Sequence, residues 1–369
     1  DRLSDAQFTY LVAFPKERRA DPTNPRDASP QAFPPTLPTG VVQTDVERFR
    51  VQTVAKTGAP YGFAFLPDGR ILITEQSGSL RVVDKGRLLP EPIADAPTGG
   101  IEGRRGQPGH NLLDVIIDPD YAHNGWIYIS SAHRAKPGDP AAGSIARITR
   151  GKLRDGRWVD SQILLEFNIQ SSTALRMAFD AQRHLYIGTS WPNFEFIAPA
   201  QAPRTPPQML SSPLGKVLRL NADGTVPADN PFVGKTGAFP YVYTYGNRAP
   251  LGLAFNLEGE LWETENGPRG GDELNHLRPG RNYGWPVATW GLRYDDVANS
   301  ANPEAKGVEQ PIIAWSPSPS VSAIAFYYGK AFPRWRGDLI MGSLKQTDLY
   351  RIRLDGDRPV LQELGRKIH

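Results

Sequence analysis

The residues best equipped for chemistry lie between Tyr245 and Tyr294, in the run YGNRAPLGLAFNLEGELWETENGPRGGDELNHLRPGRNYGWPVATWGLRY. It carries an arginine after a tight turn (Arg248), a glycine-proline corner (Gly267 and Pro268), a carboxylate pair (Asp272 and Glu273) and a GRNYGWP turn. Gly and Pro reach backbone angles that other residues avoid, so a loop rich in them can aim several carbonyl oxygens at one point. Carbonyl and carboxylate oxygens are the ligands taken by a hard cation such as calcium. The planar fork of an arginine suits a carboxylate. The same composition also describes a turn-rich connection between strands, and the span by itself leaves both readings open.

Two short apolar-polar alternations, 251–255 and 260–265, position these residues around a turn at 256–259. Arg248 precedes the first run, and the loop 266–275 follows the second. The same unit recurs along the chain. It reads YGFAFLPDGRILITEQSG from Tyr61, LLDVIIDPDYAHNGWIYISS from Leu112 and ALRMAFDAQRHLYIGTS from Ala174. Further copies begin at Leu251 and, more loosely, at Val321. A third strand with basic-apolar alternation follows in LRVVDKGRL, ARITRGKLRDGRW, KVLRLNADGTV and YRIRLDGDRPV. The spacing, roughly 50 to 75 residues, suits four-stranded propeller blades with loop insertions. Amphipathic helices between the strands, which a doubly wound α/β fold requires, are not found.

The expected fold is therefore all-β, a β-propeller of four-stranded antiparallel blades occupying 41–369, preceded by an arm at 1–40. Five copies are clear. A sixth would pair 46–56 with material after Leu364, so the closing blade is either short or filled by the strand-like run 8–14. Residues 16–40 are rich in Pro and charge and read as an irregular extension. Loops at the end where inner strands converge would carry function. The candidates are 103–111, 170–174, 245–250, 266–275, 281–286 and 316–322.

Composition narrows the class. Gly 36 and Pro 35 are high, and short apolar runs bounded by turn residues favour all-β. The net charge is +3 with scattered basic residues, which argues against a nucleic-acid partner. No apolar run reaches membrane-spanning length. Cysteine is absent, which excludes disulfides, thiolate metal sites and a cysteine nucleophile. The sequence starts at Asp1 without Met, as a processed chain would, and a periplasmic or secreted location is expected.

Taken in order, PYGFAFLPDGRILITEQSGSLRVV, LLDVIIDPDY, SSPLGKVLRLNADGTVPADNPF, YTYGNRAPLGLAF, ENGPRGGDELNHLRPGRNYGWP and FPRWRGDLIMGSL resemble the soluble quinoprotein aldose sugar dehydrogenases, the glucose/sorbosone dehydrogenase family. The resemblance runs from about Val46 to about Leu364. It implies a six-bladed propeller that binds pyrroloquinoline quinone (PQQ) and calcium on its axis. It also implies oxidation of a sugar at its anomeric carbon, a histidine base and an external electron acceptor. Carried over by position, Arg248 contacts PQQ, the carbonyls of Gly267 and Pro268 hold calcium, and Arg176 and Lys345 are further cofactor contacts. Asp272 and Glu273 either approach the cation or brace its loop.

Three positions depart from the family pattern. Ala249 stands where the family has an asparagine. Ser172 stands at the position of the histidine base, and a serine has no pKa suited to that task. The family glutamine falls on Gly109, so Gln107 takes its role only through a small shift. His110, in the same loop, is the candidate replacement base. Two functions follow: a PQQ- and calcium-dependent sugar dehydrogenase, or a catalytically degenerate propeller that binds a carbohydrate or a partner. Hydrolysis or lactone chemistry ranks behind both, because no histidine pair has metal-ligand spacing.

Overall fold

The computed structural model describes residues 40–99, 112–134, 144–169, 175–191, 201–292, 303–345 and 349–364. A short ribbon, β1 (Val42–Gln43) with β2 (Arg48–Phe49), comes first. Five four-stranded antiparallel sheets follow, each built in chain order. The first is β3 (Pro60–Phe65), β4 (Ile71–Glu75), β5 (Leu80–Asp84) and β6 (Arg87–Leu88). The second is β7 (Leu112–Ile117), β8 (Trp126–Arg134), β9 (Ser144–Arg154) and β10 (Arg157–Ile169). The third is β11 (Met177–Phe179), β12 (His184–Thr189), β13 (Lys216–Asn221) and β14 (Val242–Tyr245). The fourth is β15 (Pro250–Phe255), β16 (Leu261–Glu265), β17 (Asp272–Leu277) and β18 (Ile313–Trp315). The fifth is β19 (Val321–Phe326), β20 (Leu339–Ser343), β21 (Leu349–Asp355) and β22 (Arg358–Leu364).

The first strands of successive sheets lie side by side, β3 against β7, β7 against β11, β11 against β15 and β15 against β19. These are the inner strands of a propeller, and each repeat in the sequence is one blade. Hydroxyls stitch neighbouring blades together. Thr74 donates to the carbonyl of Leu113 at 2.7 Å, Ser130 to Leu175 at 2.8 Å and Thr264 to Ser322 at 2.7 Å. The corresponding place in the third blade is Gly188, where an added Cβ would lie 2.7 Å from the ring of Pro250. Apolar layers fill the space between blades, such as Leu113, Tyr128 and Ile148 against Leu185, Ile187 and Leu218.

The sequence predicts six blades, and the described residues form five. Among the described residues the difference lies in 46–56, which the alternation reads as one strand of the closing blade; its expected partner after Leu364 lies outside the described residues. Thr44 and Glu47 instead close a turn, each accepting from the other's backbone N–H, so only Arg48–Phe49 pairs, and with Val42–Gln43. The segment 42–58 spans from the fifth blade to the first. Val46 and Phe49 pack on Tyr327, Trp335 and Ile340 of the fifth blade. Phe49 meets Trp335 edge-on at 5.5 Å. Val54 and Ala55 pack on Ile71, Ile73 and Val83 of the first. Polar contacts fix both ends: the Arg334 N–H donates to Glu47 at 2.9 Å, and the Gly58 N–H donates to Glu75 at 2.8 Å. The run 8–14 lies outside the described residues.

Candidate functional site

Arg248 sits in the turn that delivers the chain into β15, and its whole residue is 4% exposed. Its backbone is fixed first. The Arg248 N–H donates to Glu265 at 2.6 Å, and its carbonyl accepts from the Trp191 N–H at 2.8 Å. Its guanidinium donates through Nη1 to the carbonyls of Asn266 at 2.7 Å and Gly267 at 2.9 Å. The guanidinium carbon lies 5.1 Å from the centre of the Trp285 ring, a cation–π distance. Arginine and glycine-proline corner, read separately from the sequence, are thus one unit.

The corner is built for close approach. A Cβ on Gly267 would fall 2.2 Å from the carbonyl of Gly270, so no other residue fits there. The carboxylate pair divides its labour. The sequence places Asp272 and Glu273 in a loop, whereas both begin β17. Their pairing with Trp315 and Ala314 supplies the ladder hydrogen bonds that a loop would lack. Asp272 is a brace. Its Oδ1 accepts from the Gly267 N–H at 3.0 Å and from the Ser318 hydroxyl, and its Oδ2 accepts from the Val321 N–H at 2.9 Å. It thereby ties the corner to the loop that enters the fifth blade.

Glu273 faces a second acidic pair that the sequence reading did not single out. Across the ladder Glu273 is opposite Glu265, and Asn275 is opposite Glu263. All three glutamates are buried. Asn275 donates to Glu263 at 3.0 Å and to Glu273 at 3.3 Å. Burial pushes the Glu265 carboxyl up to about 7, with the hydrogen bond and charge of Arg248 opposing the rise. Burial, with repulsion from Glu265, pushes Glu263 and Glu273 well above the ordinary range. The signal was hidden because LWETE looks like an ordinary alternating strand.

A narrow cleft lies here, lined by Arg248, Glu265, Gly267, Glu273, Tyr283 and Trp285 among others. Among the described residues no three His, Cys, Asp or Glu side chains form a metal-binding group. The cleft nonetheless gathers two carboxylates beside the corner. The Oε1 of Glu263 and the Oδ1 of Asn275, just behind, are buried without a hydrogen-bond donor. An all-oxygen, acid-rich set of this kind fits a hard divalent cation.

The other sequence candidates are distributed as follows. Arg176 precedes β11 and joins three inner strands: it donates to the carbonyl of Leu251 at 3.2 Å, to that of Tyr61 at 3.1 Å and to Asp114 at 3.5 Å. It also lies over the Tyr61 ring. Lys345 follows β20 with an exposed side chain, and its N–H donates to the carbonyl of Pro319 at 3.3 Å. It lies at the same end of the ring as the corner, beside the loop that Asp272 braces. Ala249 is buried at 6% exposure and brings no polar group to the place where the resemblance has an asparagine. Gln107, His110 and Ser172 lie outside the described residues.

Comparisons with known proteins bear on the family and the fold. Residues 57–368 match the family model described as Glucose / Sorbosone dehydrogenase. The chain is 36% identical over 330 residues to the aldose sugar dehydrogenase YliI of Escherichia coli (strain K12), covering 85% of this chain and 84% of that one. Among solved structures it resembles the apo-form of the soluble aldose sugar dehydrogenase from Escherichia coli, with a TM-score of 0.72 and 33% identity over 82% of this chain and 85% of that one. It also resembles the PQQ-bound form of the aldose sugar dehydrogenase from Streptomyces coelicolor, with a TM-score of 0.61 and 26% identity over 85% and 83%. A family-model match over residues 57–368, with a relative 36% identical across 85% of the chain, shows that the chain belongs to the glucose/sorbosone dehydrogenase family.

Proposed function

We propose that the protein oxidises an aldose sugar, using PQQ as resident cofactor and calcium beside it, and passes the electrons to an external acceptor. The observation that carries this reading is the Arg248 corner: a buried guanidinium held on carbonyl oxygens of 266–267 and on Trp285, in a chain that matches the family from residue 57 to 368. PQQ, when bound, supplies the two-electron acceptor chemistry. The chain's own residues supply the rest. Arg248 is fixed before any ligand arrives, so its charge meets an anionic cofactor at low ordering cost. Lys345 and Arg176 add positive charge from the fifth and third blades, and Gln107 adds an amide.

Calcium would be held by the Pro268 carbonyl and the second lone pair of the Gly267 carbonyl, with Glu265 and Glu273 lining the same cleft, and its charge would offset the burial that raises those two carboxyls. His110 takes the proton of the anomeric hydroxyl. An imidazole is a side chain suited to general-base work near neutral pH, and Ser172 offers no such group. The protein works in the periplasm or outside the cell.

A second reading has its own observation. Ala249 is apolar and buried where the family resemblance places an asparagine, so one cofactor hydrogen bond is missing, worth about 1 kcal/mol. Under that reading the propeller binds a carbohydrate or a partner without oxidising it. One experiment separates the two. The protein is titrated with PQQ in excess calcium, then given an aldose, while the quinone absorption is followed. A shift on binding followed by the reduced spectrum supports the dehydrogenase. His110→Ala is then expected to slow turnover by about 10²- to 10⁴-fold. An unchanged quinone spectrum overturns the dehydrogenase and leaves the binding module.

A further inference from the structure

Lys216 is the first residue of β13, and its side chain is fully buried. Its ammonium donates to three backbone carbonyls, those of Pro206 at 2.7 Å, Pro207 at 2.9 Å and Leu214 at 2.8 Å. Burial presses the amine down to about 7, and three carbonyl dipoles aimed at Nζ oppose that by favouring the charged form. A lysine sunk this deep needs such a cage, because an unpaired buried ammonium is costly. The cage draws the loop 206–214 tightly onto the third blade.

Two routes lead from that loop to Arg248. The first is backbone. The Pro207 carbonyl, already a Lys216 acceptor, also accepts from the Gly246 N–H at 2.9 Å, and the Gly215 carbonyl accepts from the Asn247 N–H at 3.2 Å. Tyr245 is the strand partner of Lys216. The turn 245–247, which leads directly into Arg248, is therefore laid against the lysine cage. The second route runs through Gln208. Its amide nitrogen donates to Asn282 at 3.0 Å and to the Trp285 carbonyl at 2.8 Å, and its oxygen accepts from Asn282 at 2.8 Å. The Trp285 N–H returns to the Gly246 carbonyl at 2.7 Å. Gly246 sits at φ 77°, and a Cβ there would fall 2.1 Å from Asn282 Oδ1, so the two turns interlock with no room to slide. Trp285 then presents its ring to the Arg248 guanidinium.

We propose that Lys216 is a positioning residue for Arg248, acting through the loop 206–214 and its Gln208 on the interlocked turns 245–247 and 282–285. It touches no ligand. It sets where the Arg248 guanidinium stands and how firmly the Trp285 face beneath it is held. The role in cofactor binding rests on the reading of Arg248 given above, whereas the positioning is a property of the protein alone.

The test uses Lys216→Met, which keeps the length of the side chain and removes the cage, and Gln208→Leu, which breaks the next link at a half-buried position. Hydrogen exchange is measured first on the full chain without PQQ. Both variants are expected to speed exchange at 245–248 and 282–288, with the Gly246 and Trp285 amides as reporters. The PQQ dissociation constant in excess calcium is measured next, well below the melting temperature. It is expected to rise about tenfold in each variant, and less than about twofold when Lys216→Met is added to Arg248→Ala. Faster exchange confined to 206–214, or an unchanged dissociation constant despite a lower melting temperature, overturns the proposal. If Lys216→Met does not fold, Gln208→Leu carries the same expectations and the same refutation. If the unmodified protein takes up no PQQ, the cofactor reading falls and the exchange data alone decide the positioning.

Discussion

Asp272→Asn replaces one carboxylate oxygen with an amide nitrogen and changes almost nothing else in size. The carboxylate accepts three hydrogen bonds, two at Oδ1 from Gly267 and Ser318 and one at Oδ2 from Val321. An amide has one oxygen. Turned to keep Gly267 and Ser318, it sets its NH₂ against the Val321 N–H. Turned to keep Val321, it loses the other two. The better orientation forfeits one bond to a charged acceptor and leaves a buried donor unpaired, at about 2–3 kcal/mol. With 369 residues and about 2.1 cal/mol/K of unfolding entropy per residue, that lowers the melting temperature by roughly 3–4 °C. Urea unfolding of the two proteins side by side measures the difference directly. The brace also holds the Gly267 N–H, so calcium-dependent PQQ binding should weaken in parallel. A loss below about 0.5 kcal/mol would refute the assignment of Asp272 as a brace, because a surface change costs that little.

The buried glutamates predict an unusual pH profile. A carboxyl whose pKa is raised in the folded protein holds its proton there after the unfolded chain has released it, so its stabilisation is full below 4.5 and is lost as pH rises through about 7. For Glu265 the span corresponds to about 3 kcal/mol at most, and melting temperatures in chelator should fall between pH 5 and pH 8. Calcium should flatten that fall, and a profile that is the same with and without calcium would detach the acidic cleft from the cation. Phe49→Ala, at the join between the fifth and first blades, should cost about 2–3 kcal/mol in urea unfolding, since Phe49 is only part-buried against Trp335 and Phe332. No change would mean that the ribbon contributes nothing to closing the ring.

The blade repeat was legible because inner and outer strands keep turn signals at regular intervals, and the Gly267 corner was legible because only glycine fits its geometry. The acidic cleft and the lysine cage were not, for one physical reason. Alternation reports a strand with one wet face. In a propeller each sheet is covered on both faces by its neighbours, so all five residues of β16 are buried, polar ones included. Glu263 and Glu265 thus looked like solvent-facing positions, and Lys216 looked like the basic half of a basic-apolar strand. The distinction between Asp272 and Glu273 was illegible because a one-residue step along a strand reverses the face. The run 46–56 misled in the opposite direction: its alternation was real, but Val54 and Ala55 spend it on side-chain packing against blade one rather than on pairing.

The join made by 42–58 has a consequence for how the molecule comes apart. A row of blades has two ends, and each end unit has one neighbour where an interior unit has two. In a linear array stability is close to a sum of unit and nearest-neighbour terms, so the ends melt first and melting spreads inward. Val46 and Phe49 on the fifth blade, with Val54 and Ala55 on the first, give both terminal units a second neighbour from one short segment. The array becomes circular, and no unit is left as the natural starting point for unfolding. Removing those few side chains would restore the ends, and a single sharp transition would broaden into stepwise loss that begins at the first and fifth blades and reaches the Arg248 corner in the fourth only later.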